Sequence, residues 1–440
     1  MDMNAEELTT DDTVTETDAL RPRRRFRWWR KLLLGLILLT LFIPRLDSFK
    51  ITPVELIAFE HLFSLVEWEA ANFPRKWVHS LINLVPGQKP TREERLEIVD
   101  EYLKVVRLAK KEERRIEGAS QLLSFKGADT SQVVPSDEYL RELLAQKRKL
   151  QPEAEESVEA EIAAVLATLG LQSRIGVIWP PVDIRFGEPP TLLVISPRDK
   201  IDMTGAVFLD PDIEPFERDE VEKRVFEEVD YAAYVDDLAG LATFPNMVND
   251  LYTTRTIVRT VAHEWLHSYW FFHPFGRNYF ASDEMTTLNE TAATLAGNEI
   301  GDIAFERMGG DLSVNARRYE AAHKSNPNFT KFMRETRIEA ERLLEEGKVE
   351  EAEEYMRKRQ WELRLRGYYI RKLNQAYFAF RGRYADSPAS TSPVGEQMRE
   401  LRSYVADIGE FIAVISDVSN PAEFEALLGQ MRAQNASHQP

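Results

Sequence analysis

The apolar positions of this chain change their period along its length, and the changes mark out its regions. After Pro53, VELIAFEHLFSLVEWEAANF has apolar residues at helical spacing, with Phe59, Phe63 and Trp68 among them. This predicts an amphipathic helix that lies on a membrane surface or packs against the main domain. Residues 91–118 are charged and helical: Thr91 with Glu94 forms a capping-box pattern, and Pro90 and Gly118 mark the ends. A loop is expected over 119–136, and helices over 137–149 and 153–169 with Gly170 as a C-cap. From 174 to 210 the period shortens to two, and VDIRF, TLLVIS and GAVFLD read as strands separated by Pro-Pro, Gly and Asp punctuation. A charged helix over 214–230 follows, then YVDDLAGLATFPNMV, then a long helix from Asp250 to Trp270. The C-terminal third is mostly helical. Within 331–382, LLEEGKVEEAEEYMRKR reads as a helix-turn-helix phrase without a second copy at fixed period. The expected fold class is α+β, predominantly helical.

The N-terminal pattern is different. Residues 1–20 carry acidic groups and no basic one, and read as a disordered tail. Arg21, Arg23, Arg24, Arg25, Arg27, Arg30 and Lys31 then surround Trp28 and Trp29, ahead of an apolar run from Leu32 to Ile43. That run covers roughly 18 Å as a helix, short of the ~30 Å hydrocarbon core. A cleaved signal peptide has a core of this length, but no small-x-small cleavage site follows. A buried helix does not account for the basic cluster and the paired tryptophans. A signal anchor does, with Arg30 and Lys31 snorkelling and the tryptophans at the interface. The basic flank then puts the N-terminus in the cytoplasm and the rest outside the cell membrane. The expected division is a tail and basic flank over 1–31, a transmembrane signal anchor over 32–45 and a helical membrane-proximal region over 46–172. A catalytic core over 173–310, a helical C-terminal subdomain over 311–430 and a disordered tail over 431–440 complete it.

Length and charge narrow the function. A chain of 440 residues is expected to hold more than one small core. Its formal charge of −17 makes it a poor binder of nucleic acid, which needs a basic footprint. With no cysteine, disulfides, thiolate metal sites and cysteine nucleophiles are all excluded.

The candidate chemistry lies in the long helix. Residues four apart share a helix face, so His263 and His267 can reach one ion together. Glu264 sits to the side of that face, placed to take a proton from metal-activated water. Apolar neighbours such as Val261, Trp265 and Leu266 put both histidines near a core, where imidazoles need partners. A catalytic zinc takes three protein ligands. Glu290, in LNETAATLAG, is the favoured third, on a second helix beginning near Ser282 or Asp283. The intervening FFHPFGRNYF contains Pro274 and Gly276 and can reverse the chain. His273 is the rival. Its spacing demands a helix break at the position held by Trp270, where the helix is expected to continue and point His273 away. Two histidines and a carboxylate suit Zn2+.

H-E-x-x-H followed by N-E-x-x-A on a second helix resembles the gluzincin metallopeptidases, which include thermolysin and the zinc aminopeptidases. The two motifs span about thirty residues. The resemblance implies a zincin-like catalytic domain in which His263, His267 and Glu290 hold zinc and Glu264 is the general base. Asn289 precedes the ligand as in many members. The family's second helix often supplies a ligand-orienting group one turn after the glutamate; here Ala293 and Thr294 stand there, so no such partner transfers. Gly240, Leu241, Ala242 and Thr243, ahead of Phe244-Pro245, resemble the edge strand that pairs with an extended peptide or protein substrate. An ordinary loop before a helix is the alternative. Zinc aminopeptidases carry a glutamate on that strand, and none occurs over 238–250. The family also uses a downstream side chain to stabilise the oxyanion. Tyr368, Tyr369, Tyr377 and Tyr384, with Arg381 and Arg383 nearby, are candidates, and the same aromatics also read as core. A reading from another class is a catalytically inactive, membrane-anchored scaffold on a zincin fold. An intramembrane protease is excluded, because Asp250, Arg255, Arg259 and Glu264 make the motif helix too polar.

Overall fold

The computed structural model describes residues 51–72, 90–126, 137–314 and 329–438. Leu32–Ile43 and its basic flank lie outside the described residues, as does 127–136 of the expected loop. Among the described residues no helix is long and apolar enough to cross a membrane. The structure is predominantly helical with two small sheets.

The segment after Pro53 is broken, not one helix. Helix α1 (Pro53–Ile57) ends at a short 3-10 turn, and Phe63 N then donates to Phe208 O at 3.0 Å. Val54, Ile57 and Ala58 pack in one core with Leu193, Ile195 and Leu209, while Leu56 and Phe59 remain exposed. Helix α2 (Arg92–Lys126) starts at the expected capping box, Thr91 N bonding Glu94 Oε2. It runs through Gly118 instead of ending there; an interior glycine costs only about 1 kcal/mol and does not break a helix. Helix α3 (Asp137–Thr168) is likewise continuous across Pro152, where a break is expected. Ala154, Val158, Ile162 and Val165, after the proline, all lie in the main core, and Gln151 bonds Phe186 O at 2.8 Å. Tertiary packing thus outweighs the ~3 kcal/mol penalty of an interior proline.

The strands follow as β1 (Ile184–Gly187), β2 (Thr191–Pro197) and β3 (Gly205–Leu209). Next comes α4 (Pro215–Val229), which is closed by a Glu214–Glu217 capping box and by Asp230 in the left-handed conformation. Strands β4 (Tyr231–Asp237), β5 (Gly240–Leu241) and β6 (Asn246–Asn249) complete the two sheets. One sheet is antiparallel with order β3-β2-β4; the other has order β1-β6-β5, with β1 parallel and β5 antiparallel to β6.

The motif helix, α5 (Thr254–Trp270), begins four residues later than expected, because β6 runs to Asn249 and Thr253 supplies the cap, accepting from Thr256 N. It ends at Trp270. His273 precedes Pro274 and is extended, so the chain cannot continue as a helix. A short helix, α6 (Pro274–Arg277), leads to α7 (Asp283–Arg307), capped by Ser282 where the second helix is expected to begin. The C-terminal part contains α8 (Phe329–Glu345) and α9 (Val349–Leu365), hinged at Gly347 with φ +74° as the helix-turn-helix phrase predicts. Helices α10 (Gln375–Arg381), α11 (Val394–Ser403), α12 (Ile408–Ser416) and α13 (Pro421–His438) follow. Helix α13 continues through the 431–438 stretch expected as a tail.

Helices α5 and α7 form the centre of the main core, with Trp265, Trp270, Leu288, Ala292 and Ala296 fully buried or nearly so. Two glycines set how closely they pack. A Cβ on Gly297 would stand 2.9 Å from His263 N, and one on Gly301 would stand 2.5 Å from Arg259 Cα. Side chains at these positions would push the helices apart. Asp302 then pins the register, taking paired hydrogen bonds from both Arg255 and Arg259.

Candidate metal centre

The close α5–α7 contact brings three potential ligands together. His263 Nε2 and His267 Nε2 are 3.0 Å apart. Glu290 places Oε2 3.5 Å from His263 Nε2 and Oε1 3.6 Å from His267 Nε2. Ligand atoms arranged tetrahedrally around a zinc at 2.0–2.1 Å stand about 3.3 Å from one another. The observed spacings bracket that value. Among the described residues, His263, His267 and Glu290 are the group able to converge on one ion.

Each ligand is oriented by its surroundings. The backbone of Ala293 lies beside the His263 ring and favours its protonated form, while His263 Nε2 faces Glu290 Oε2 at 3.5 Å. Tyr279 donates a hydrogen bond to Glu290 Oε1 and sets its ring edge-on to His267, with centroids 5.7 Å apart. Asn289 holds the reversing loop, its amide donating to Phe275 O at 3.1 Å and Met285 O at 2.9 Å. Beyond His263, the buried Glu290 Oε2 meets no hydrogen-bonding partner among the described residues. A buried carboxylate oxygen left this way is costly unless a cation answers it.

The electrostatics separate the two glutamates. Burial pushes the Glu290 carboxyl up, but His267, His263 and Tyr279 outweigh it and hold the group at about 2. Burial, reinforced by the charge of Glu290 against the opposing pull of His263, lifts Glu264 to about 7. Burial lowers His267 to about 4, which leaves its nitrogen free to ligate at neutral pH. Burial also works against charge on His263, but its bond to Glu290 and the nearby carboxylates raise its pKa.

Gly240 lies directly on Glu264. A Cβ there would stand 2.6 Å from Glu264 Oε1 and 2.7 Å from Thr260 Cγ2, so glycine lets the strand pass over the carboxylate. Gly240 and Leu241 form β5, which pairs with β6 on one side and is the last strand in its sheet. Ala242 is exposed. Thr243 is buried in the turn, its hydroxyl donating to Pro245 O at 2.6 Å.

His273 stays apart from the triad, its ring against Tyr269 at 4.6 Å. Of the four tyrosines, Tyr368 stacks on Phe329, Tyr369 is exposed and Tyr377 sets its edge on Tyr234. Tyr384 alone responds to both Glu290 and Glu264: burial, then those two charges, raise its hydroxyl well above the usual range. Arg381 and Arg383 are already engaged, by Asp236 and Asp283 respectively. Tyr279 is the site residue that sequence reasoning overlooks, since its contact exists only after the loop folds back. Gly297 and Gly301 did leave a signal: two glycines one turn apart inside a helix are unfavourable unless another backbone must approach. Comparison with protein-family models, curated proteins and solved structures finds no match to the chain.

Proposed function

We propose that this chain is a zinc-dependent metallopeptidase of gluzincin type, built on a zincin-like core. The observation that carries the proposal is the convergence of His263, His267 and Glu290 at near-tetrahedral spacing. A short sheet followed by the motif helix and a second ligand-bearing helix supports the zincin assignment. His263, His267 and Glu290 would hold the zinc, which when bound would supply Lewis acidity toward water and the scissile carbonyl. Glu264, lifted to about 7, takes the proton from the attacking water and passes it to the leaving amine. The Tyr384 hydroxyl stays protonated and can donate to the developing oxyanion. The outer edge of Gly240–Leu241 offers backbone groups to an extended peptide beside Glu264. We further propose that Leu32–Ile43 anchors the chain, with this centre outside the cytoplasmic membrane.

The test compares hydrolysis of a mixed peptide library by the zinc-loaded chain and by Glu264→Gln. The variant keeps its zinc and loses about 10²–10⁴-fold in rate. Equal rates in the two proteins, with equal zinc content, leave the scaffold reading in place.

A further inference from the structure

Two stretches beside the metal centre depart from the rest of this acidic chain. Residues 170–179 and 271–281 contain Arg174, His273 and Arg277 but no aspartate or glutamate, in a chain of net charge −17. Both present large apolar side chains to solvent. Ile175 is 86% exposed, Trp179 60%, Phe271 67% and Phe280 89%; Val177 and Phe272 are also exposed. The stretches meet where Trp179 and Phe272 approach, with centroids 6.2 Å apart, and Phe271 and Phe272 are in edge contact. Arg174 and Arg277 are exposed on the same two stretches. Of the acidic groups nearby, Asp417 acts on His273 and Tyr269, and Asp283, just past the second stretch, is paired with Arg383.

The first stretch is a closed tip. Ser173 N bonds Val177 O at 2.8 Å, Gly176 N bonds Ser173 O at 2.8 Å, and Gln172 bridges Ile178. Gly176 takes φ +77°, which lets the turn put Ile175 at its apex. A tip that satisfies backbone groups internally can enter an apolar medium at little cost. The second stretch is tied to the centre itself. Phe271 N bonds His267 O, and Phe280 packs on Tyr279, which contacts His267 and bonds Glu290.

We propose that this aromatic rim rests in the surface of a lipid bilayer, with Ile175, Trp179, Phe271, Phe272 and Phe280 in the interface and Arg174 and Arg277 at the headgroups. Exposed aromatic rings beside two exposed arginines match a membrane interface, which favours aromatic side chains and presents phosphate headgroups to guanidinium. On the metallopeptidase reading above, on which this extension rests, the bonds cut lie in chain close to the headgroups.

Because the chain has no cysteine, single cysteines can be introduced and labelled with an environment-sensitive fluorophore. Ile175→Cys, Phe272→Cys and Phe280→Cys are each placed in the full-length chain, with Glu350→Cys on exposed surface of α9 as the control. Each is reconstituted in vesicles of equal parts phosphatidylcholine and phosphatidylglycerol. Brominated acyl chains should quench the three rim probes about twofold and leave the control unchanged. Rim probes open to aqueous iodide and insensitive to brominated lipid would overturn the proposal. So would probes shielded from iodide without lipid quenching, the sign of a second copy or another protein over the rim. The readout does not depend on zinc or hydrolysis, so its failure is distinct from failure of the peptidase reading.

Discussion

Helix α7 contributes to two buried carboxylate clusters, one near each end, and they are answered in different ways. Near its C-terminal end, Arg307 meets Glu161 of α3 at 2.6 Å, and Arg95 of α2 meets the other oxygen at 2.9 Å. Near its start, Glu290 faces two imidazoles and a phenol. Both glutamates are shielded from water, so burial alone does not distinguish them. The partners do. Guanidinium keeps its proton and cannot ligate a metal, so the Glu161 cluster is closed. Imidazole can give up its proton and turn a lone pair to a shared point, so the Glu290 cluster is open to a cation.

Removing one acid from each cluster should separate structure from site. Glu161→Ala leaves Arg95 and Arg307 without their carboxylate. It should cost about 3–5 kcal/mol in chemical denaturation while zinc affinity is unchanged. A loss below about 1 kcal/mol would mean that the arginines reach solvent and the cluster is not closed.

The contrast depends on how closely α5 and α7 pack. Gly301→Ala puts a Cβ against the Arg259 backbone and should cost about 1–3 kcal/mol in stability. Gly297→Ala meets the His263 backbone, so it should weaken zinc binding as well as stability. Titration of both variants with zinc checks this. Undiminished affinity in Gly297→Ala would show that the helices can separate without disturbing the centre.

Much of this was legible in the residues and some was not. The motif helix, the second helix with its Ser282 cap, the reversing loop and the strand runs all follow from local periodicity and capping chemistry. Several other helix ends did not. Pro152 and Gly118 read as punctuation, yet both sit inside continuous helices: packing on the main core holds the helix through Pro152, and a single exposed glycine costs too little to break one. At the site, His263, His267 and Glu290 carried their own spacing signal. Tyr279 did not, because its distance from Glu290 depends on how the turn around Pro274 and Gly276 closes. The Ala293 backbone beside His263 escaped for another reason: side-chain identity is silent about a main-chain group. Tyr384 stood out from the other tyrosines only once their surroundings could be compared.

A smaller effect sharpens the role of Tyr279. Tyr279→Phe removes the hydroxyl that holds Glu290 Oε1 but keeps the ring against His267. Zinc affinity should fall about tenfold, with the melting temperature of the zinc-free chain nearly unchanged. An unchanged affinity would assign Tyr279 to packing alone.

The central claim is that Glu290, with His263 and His267, completes a zinc site. Its most direct test is zinc titration followed by X-ray absorption on the full-length chain and on Glu290→Gln. One tightly bound zinc per chain is expected, with nitrogen and oxygen ligands at about 2.0–2.1 Å, and marked loss of affinity in Glu290→Gln. Zinc held equally well by Glu290→Gln, or not bound tightly by either protein, would contradict it.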